Sequence, residues 1–176
     1  EHSLSNDTNI VCITIDGVGY GTDGNAWGGE ILLGNYSNFA RVAHLRYQPM
    51  PGGDLCAYYP ARFLASVLST VMNESEIFQL FGKKYIKYLR FGSNELSAIL
   101  KQSKNKNIIF SSSMGRLLDA IAVLLDVCAY RTYEGEPPIR LEAFAKLGKP
   151  SNTNLRLPVK KDKDKYIIDT SEFILS

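Results

Sequence analysis

Cysteine and histidine are scarce in this 176-residue chain. Its three cysteines, Cys12, Cys56 and Cys128, lie far apart, with no Cys-x-x-Cys pair and no histidine at ligand spacing. A disulfide framework and a cysteine-type zinc site are therefore excluded. Cys12 and Cys128 fall within apolar runs and read as small core residues in a reducing compartment, so the cytoplasm is the expected location. An excess of one charge is missing too: 20 Lys and Arg stand against 18 Asp and Glu, for a formal charge of +2. That is far from the basic stripe a nucleic-acid backbone requires. No apolar run is long enough for a membrane. The longest, from Leu117 to Tyr130, is interrupted by Asp119 and Asp126 and falls short of the ~20 residues a spanning helix needs. At the start, Glu1 to Asp7 offer no Met, no apolar stretch and no basic cluster, unlike a signal peptide. The last residues, Tyr166 to Ser176, stop within apolar sequence. The expectation is a piece of a longer chain.

What is present is ordinary for a globular domain, with 45% hydrophobic and 22% charged residues. The β-branched run Ile10 to Ile15 predicts a central strand buried on both faces. Six of the 14 glycines lie between Gly17 and Gly29, which predicts a long glycine-rich turn before a second strand at Glu30 to Leu33. Alternation over Phe39 to Leu45 predicts a third strand, ended by Pro49 to Asp54, so a three-strand meander is the simplest assembly. Helical spacing follows Pro60, at Phe63, Val67 and Val71. Residues 74–107 show weaker periodicity, with breaks at Gly82 and Gly92, and read as short helices in a variable insertion. Ser111 to Ser113 supply an N-cap hydroxyl to a helix carrying Leu117, Leu118, Ile121, Leu124 and Leu125. Glu136-Pro137-Pro138 opens another, with Leu141, Phe144 and Ala145 as its apolar stripe and Gly148 and Pro150 as its stop. The charge cluster Lys160 to Lys165 reads as a solvated turn between two short apolar runs.

The segment Asp16-Gly-Val-Gly-Tyr-Gly-Thr-Asp-Gly24 is the most informative chemically. A carboxylate at a strand end, followed by alternate glycines, lets backbone N–H groups approach an anion closely. It does not satisfy the dinucleotide fingerprint, because Thr22 stands three residues past Gly19 and a strand follows. It is not a Walker loop, and an EF-hand count from Asp23 ends on Gly34 where Glu belongs. Spacing alone leaves a phosphate cradle and a plain hairpin turn both open. Arg116 and Asp119 sit one helical turn apart, which by itself means a surface ion pair. Glu136, just before a helix, by itself means capping.

Five blocks in order give a sharper indication: Asp16 to Gly24, Trp27-Gly-Gly-Glu30, Pro51-Gly-Gly-Asp54, Ser112-Ser-Met-Gly-Arg-Leu-Leu-Asp-Ala120 and Tyr133-Glu-Gly-Glu136. Together they closely resemble the hydrogenase-maturation carbamoyltransferase family HypF, in its Kae-like domain, which is similar to the TsaD-type threonylcarbamoyl transferases. The Tyr-Glu-Gly-Glu form, in place of the Tyr-Pro-Gly-Gly of the tRNA enzymes, favours HypF. The resemblance implies an α/β, actin-like lobe of the sugar kinase, Hsp70 and ribonuclease H type: a β-meander with a glycine-rich phosphate hairpin and packed helices. It implies that Gly17, Gly19 and Gly21 face nucleotide phosphates, that Asp119, Gly135 and Glu136 lie on the nucleoside side, and that Asp16 is a ligand to a divalent metal, zinc or iron. It names no catalytic side chain, and Arg116 could simply pair with Asp119.

The family's His-His-x-Ala-His motif is absent, and Glu1-His2 looks like the residues that follow it, so His2 is not a ligand candidate. The downstream Phe-His-Asn and Gly-Gly-Val-Phe-Gln-Asn segments are missing, as are the acylphosphatase-like, zinc-finger and YrdC-like modules. The implied reaction uses ATP and carbamoyl phosphate. A carbamoyl adenylate delivers its carbamoyl group to the C-terminal cysteine thiol of the partner HypE, for cyanide-ligand synthesis. A related tRNA or antibiotic carbamoyl-type transferase, or an inactive nucleotide-binding scaffold, is the competing expectation. Neither nucleic acid nor membrane is expected as a partner in the first reading.

Overall fold

The computed structural model describes residues 4–149, 157–171 and 173–175; the readings placed on His2 and Pro150 lie outside them. Strands β1 (Ile10–Tyr20), β2 (Ala26–Gly34) and β3 (Phe39–Leu45) form the expected antiparallel meander. Next come β4 (Gln48–Pro49), the short helix α1 (Leu55–Tyr58), α2 (Pro60–Leu68) and α3 (Glu74–Leu80). A π-helical turn over Phe81–Tyr85 and a 3-10 turn over Ile86–Tyr88 then lead to α4 (Gly92–Ser103). The chain continues through β5 (Phe110–Ser111), α5 (Met114–Leu124), α6 (Glu136–Ala145) and the hairpin β6 (Val159–Asp162) and β7 (Lys165–Ile168). The sheet runs β4-β5-β2-β3-β7-β6, with β1 on the other side of β2. β2 and β5 pair in parallel, as do β3 and β7.

Local sequence explains the helix starts. Asn73 and Glu76 form a reciprocal capping box, Asn73 accepting from the Glu76 N–H at 2.9 Å and Glu76 accepting from the Asn73 N–H at 3.0 Å. Pro60 opens α2, where no intrahelical donor is needed. α2 is buried along its whole length and packs on α5 and α4, and Phe63, Leu64, Val67, Ile77, Phe81, Leu96, Ile99 and Val123 fill the core between helices and sheet. Residues 74–107, read as an insertion, thus place α3, α4 and several of these core side chains.

Several expectations are corrected. Ile10 to Ile15 is an exposed strand: among the described residues β1 pairs only with β2, and α5 approaches it at Asp16 and Gly17. Val11, Ile13 and Ile15 are each about two-thirds exposed. Cys12 shares that exposure, whereas Cys56 and Cys128 are buried. The turn is shorter than expected: β1 runs through Gly17 and Gly19, and β2 starts at Ala26. The stripe on α6 does not face a core, since Phe144 and Ala145 are exposed and Leu141 only half-buried. Lys163-Asp164 form the exposed two-residue turn of the β6–β7 hairpin, where Lys163 takes a left-handed φ of 53°.

Candidate functional site

A bulge in β1 sets the site. Ile15 faces Gly29 and Gly19 faces Trp27, so four steps along β1 match two along β2, and Asp16 to Val18 leave the ladder. The first turn of α5 lies against this bulge. Ser113 caps α5 by accepting from the Arg116 N–H at 3.0 Å, and its hydroxyl reaches the carbonyls of Asp16 and Gly17 at 2.9 and 2.8 Å. Such closeness requires small residues. A Cβ on Gly28 would fall 2.6 Å from the Asp16 carbonyl oxygen and 3.0 Å from Ser113 Cα, and one on Gly115 would fall 2.8 Å from Gly17 Cα.

Two carboxylates hold the hairpin in shape. Glu30, 3% exposed, accepts from the Gly28 N–H at 2.8 Å, from the Thr14 hydroxyl at 3.2 Å and from the Ser112 hydroxyl, joining β2 to the approach of α5. Asp23 accepts from Trp27 Nε1 at 3.0 Å, Tyr47 at 2.7 Å and Arg41 at 2.8 Å, while the Arg41 guanidinium stacks 3.9 Å over Trp27. Desolvation pushes the Asp23 carboxyl up, but the hydrogen bonds from Tyr47, Trp27 and the Asn25 backbone, with the Arg41 charge, outweigh it and hold its pKa down at about 2. Burial, and donation to Asp23, push the Tyr47 phenol up to about 12.

Beside the bulge lies a two-part cleft. One part, of about 530 Å³, runs along Val18, Gly19, Tyr20 and Gly21 to Met50 and Asp54. The other, of about 170 Å³, shares Val18, Met50 and Asp54 and ends on Gly17, Tyr58, Arg116, Arg131 and Glu134. Gly17 borders the smaller part, and Gly19 and Gly21 the larger. Not all their N–H groups point there: the Gly17 N–H donates to its neighbour Asp16 Oδ1 at 2.6 Å, and the Gly21 N–H to the Asn25 carbonyl at 2.9 Å. Asp16 is exposed beside them.

Asp119 sits behind Arg116. Their pair, 3.0 Å apart with side chains 9% and 2% exposed, is buried and not the surface pair that spacing suggested. Burial pushes the Asp119 carboxyl up to about 6 against the opposing pull of Arg116 and Arg131. Gly135 takes a left-handed φ of 76° at the N-cap of α6, a conformation that selects glycine. Glu136 accepts from the Thr132 N–H at 2.6 Å and its hydroxyl at 2.7 Å and pairs with Arg140 at 2.7 Å. These bonds hold its carboxyl below the usual range, the Thr132 N–H first. Its contacts tie the segment before α6 to Arg140 one turn into the helix, and no side chain caps α6. Arg131, Asp54 and Tyr58 were not singled out from sequence as site residues. Asp54 closes one of the five blocks, but Arg131 and Tyr58 carry no local signal.

Four of the five sequence blocks border the cleft, and the fifth, Trp27 to Glu30, braces the hairpin beside it. The family described as "Carbamoyltransferase, Kae1-like Domain, second subdomain" matches residues 12–176. The probable carbamoyltransferase HypF of Methanocaldococcus jannaschii is 37% identical over 98% of this chain, and the carbamoyltransferase HypF of Rhodobacter capsulatus is 39% identical over 77%. The chain spans 22% and 17% of the length of these two relatives. The crystal structure of T. kodakarensis HypF superposes with a TM-score of 0.83 at 40% identity, over 95% of this chain and 22% of that one. Full-length HypF in a phosphate- and nucleotide-bound form gives 0.76 at 34% identity, over 96% and 21%. The mixed α/β fold, with its curled sheet and packed helices, is that of the HypF Kae1-like domain, and the chain belongs to the HypF carbamoyltransferase family.

Proposed function

We propose that this chain forms the transfer lobe of a HypF-type reaction, in which a carbamoyl adenylate made from ATP and carbamoyl phosphate gives its carbamoyl group to the C-terminal cysteine of HypE. In that step the thiol gives up its proton, its sulfur bonds to the carbamoyl carbon, and the bond from that carbon to the AMP phosphate oxygen breaks, releasing AMP. The observation that carries the reading is convergence. Gly17 to Gly21, Gly24, Asp54, Arg116 and Glu134 border the two-part cleft, while Glu30, Ser112 and Ser113 fasten its walls. That a HypF relative is described as phosphate- and nucleotide-bound supports placing a nucleotide here.

The residues present do not by themselves fit a metal. Among the described residues no three His, Cys, Asp or Glu side chains come together, and Asp16 alone holds a divalent cation weakly. No step is therefore routed through one.

Calorimetric titration with ATP tests the reading, using Gly19→Val as the probe. A Cβ at Gly19 meets only ordinary contacts, the nearest being the Trp27 carbonyl oxygen at 3.5 Å. The variant should keep its urea midpoint while the added side chain crowds the cleft and weakens ATP binding. Unaltered ATP affinity with a lowered midpoint would mean that the glycines serve only the turn.

A further inference from the structure

One wall of the cleft is held from behind. Met50, Gly53 and Asp54 border the cleft, and the turn that carries them passes through left-handed φ of 84° at Gly52 and 56° at Gly53. Inside the turn the Gly53 N–H donates to the Met50 carbonyl at 2.9 Å. The Pro51 carbonyl points away from these bonds to a buried ion pair. Arg62, on α2, and Glu95, on α4, are 9% and 6% exposed, and neither borders the cleft. Arg62 divides its terminal nitrogens between two elements: Nη1 pairs with Glu95 Oε1, and Nη2 donates to the Pro51 carbonyl at 3.3 Å. Glu95 is fixed in turn, because its other oxygen accepts from the Phe91 N–H at 3.0 Å. The guanidinium lies directly beneath the turn, since a Cβ on Gly52 would stand 3.0 Å from Nη2. A buried ion pair is weak evidence for stability, because apolar residues of similar volume often serve as well. Apolar residues cannot supply a charged donor to the Pro51 carbonyl, however.

We propose that Arg62 and Glu95 are positioning residues for the cleft: from outside it, they fix the turn of residues 50–54 that forms one of its walls. Glu95 sets the guanidinium, and the guanidinium sets the Pro51 carbonyl, so the orientation of α4 is passed to Met50, Gly53 and Asp54. α4 belongs to residues 74–107, which sequence alone marks as a variable insertion, and the pair gives that stretch a direct connection to the cleft. The inference rests on the nucleotide reading above only for the ligand that the wall serves.

The three cysteines provide the test. Cys12 is exposed and reacts freely, Cys128 is buried against the Tyr130 carbonyl, and Cys56 is buried beneath the turn, donating to the Pro51 carbonyl at 3.3 Å. Burial pushes the Cys56 thiol up to about 12, so it is inert while the turn stays in place. The protein is labelled with iodoacetamide and each cysteine is read by peptide mass spectrometry. Arg62→Lys keeps the charge for Glu95 but lacks the fork that also reaches Pro51. It should speed Cys56 about tenfold relative to Cys128, the loss of one charge-assisted hydrogen bond. Glu95→Asp, which keeps the carboxylate but withdraws it by one methylene, should shift the ratio the same way, and it decides if Arg62→Lys does not fold by circular dichroism. Leu96→Ala, a cavity in the same helix at a fully buried site, should speed Cys56 and Cys128 together. ATP at about ten times its dissociation constant should slow Cys56 about tenfold relative to Cys128, because only the held wall binds it. Cys56 and Cys128 accelerating together in the Arg62 and Glu95 variants would make the pair merely structural and overturn the proposal. Bound ATP that leaves Cys56 labelling unchanged would overturn it as well. ATP that fails to bind the folded parent removes the nucleotide reading, whereas selective acceleration of Cys56 still supports the hold of the pair on the wall.

Discussion

Replacing Gly28 by Ala should separate α5 from the β1 bulge. The added Cβ would stand 2.6 Å from the Asp16 carbonyl oxygen, 3.0 Å from Ser113 Cα and 3.1 Å from Ser113 Cβ. Two of these are backbone atoms, so no side chain can swing aside, and the first turn of α5 must retreat. Overpacking of this kind costs about 1–3 kcal/mol. The retreat also stretches the Ser113 hydroxyl bonds to the carbonyls of Asp16 and Gly17, each contributing about 1 kcal/mol. The total is about 3–5 kcal/mol, or a urea midpoint lower by about 1.5–2.5 M at a slope of about 2 kcal/mol/M. Urea unfolding followed through the single Trp27 and through helical circular dichroism reads it out. Gly82→Ala is the control, because nothing lies within 4 Å of the new carbon and its φ is not left-handed. That control should be neutral or gain about 0.4–1 kcal/mol. A Gly28→Ala protein with an unchanged midpoint and unchanged cleft binding would refute the close approach on which the site depends.

Three further outcomes follow from buried or exposed groups. Asp119 has a folded pKa of about 6, above its unfolded value near 3.9. The folded state therefore binds more protons between pH 4 and 6, and stability falls as pH rises through that window, by up to about 3 kcal/mol. Asp119→Asn should remove this slope in urea titrations across pH, and an unaltered slope would put the titration elsewhere. Glu95→Gln leaves the buried Arg62 guanidinium without its counter-charge, a loss of about 3–5 kcal/mol. Differential scanning calorimetry should show it, and a loss below about 1 kcal/mol would mean that water reaches Arg62. Ile13→Lys, at a site 69% exposed on an edge strand, should alter stability by no more than about 0.5 kcal/mol. Strong destabilisation would place Ile13 in a core.

The meander, the bounds of β3 and the N-cap of α5 were legible because each rests on neighbouring residues: alternation, turn formers and a Ser three residues before its acceptor's donor. β1 was legible as a strand but not as an exposed one. Its β-branched run records only that both faces are apolar, and burial depends on which other segments lie against it. The bulge was invisible, since register belongs to a pair of strands. Asp16, Gly17, Gly19 and Gly21 could be selected from glycine spacing, and all border or adjoin the cleft. Arg131 and Tyr58 could not, because only folding brings α1 and the segment before α6 to the bulge. The burial of the Arg116–Asp119 pair has the same origin: i, i+3 spacing guarantees proximity, and the packing of α2 and β1 on α5 decides exposure.

The central claim is that the five blocks build a nucleotide-phosphate cleft, and a crystal structure of the protein grown with ATP tests it most directly. The account predicts nucleotide density between Gly17–Gly21 and Met50–Tyr58. Nucleotide density elsewhere, for instance between His44 and the Lys163–Lys165 turn, with this cleft vacant, would contradict it.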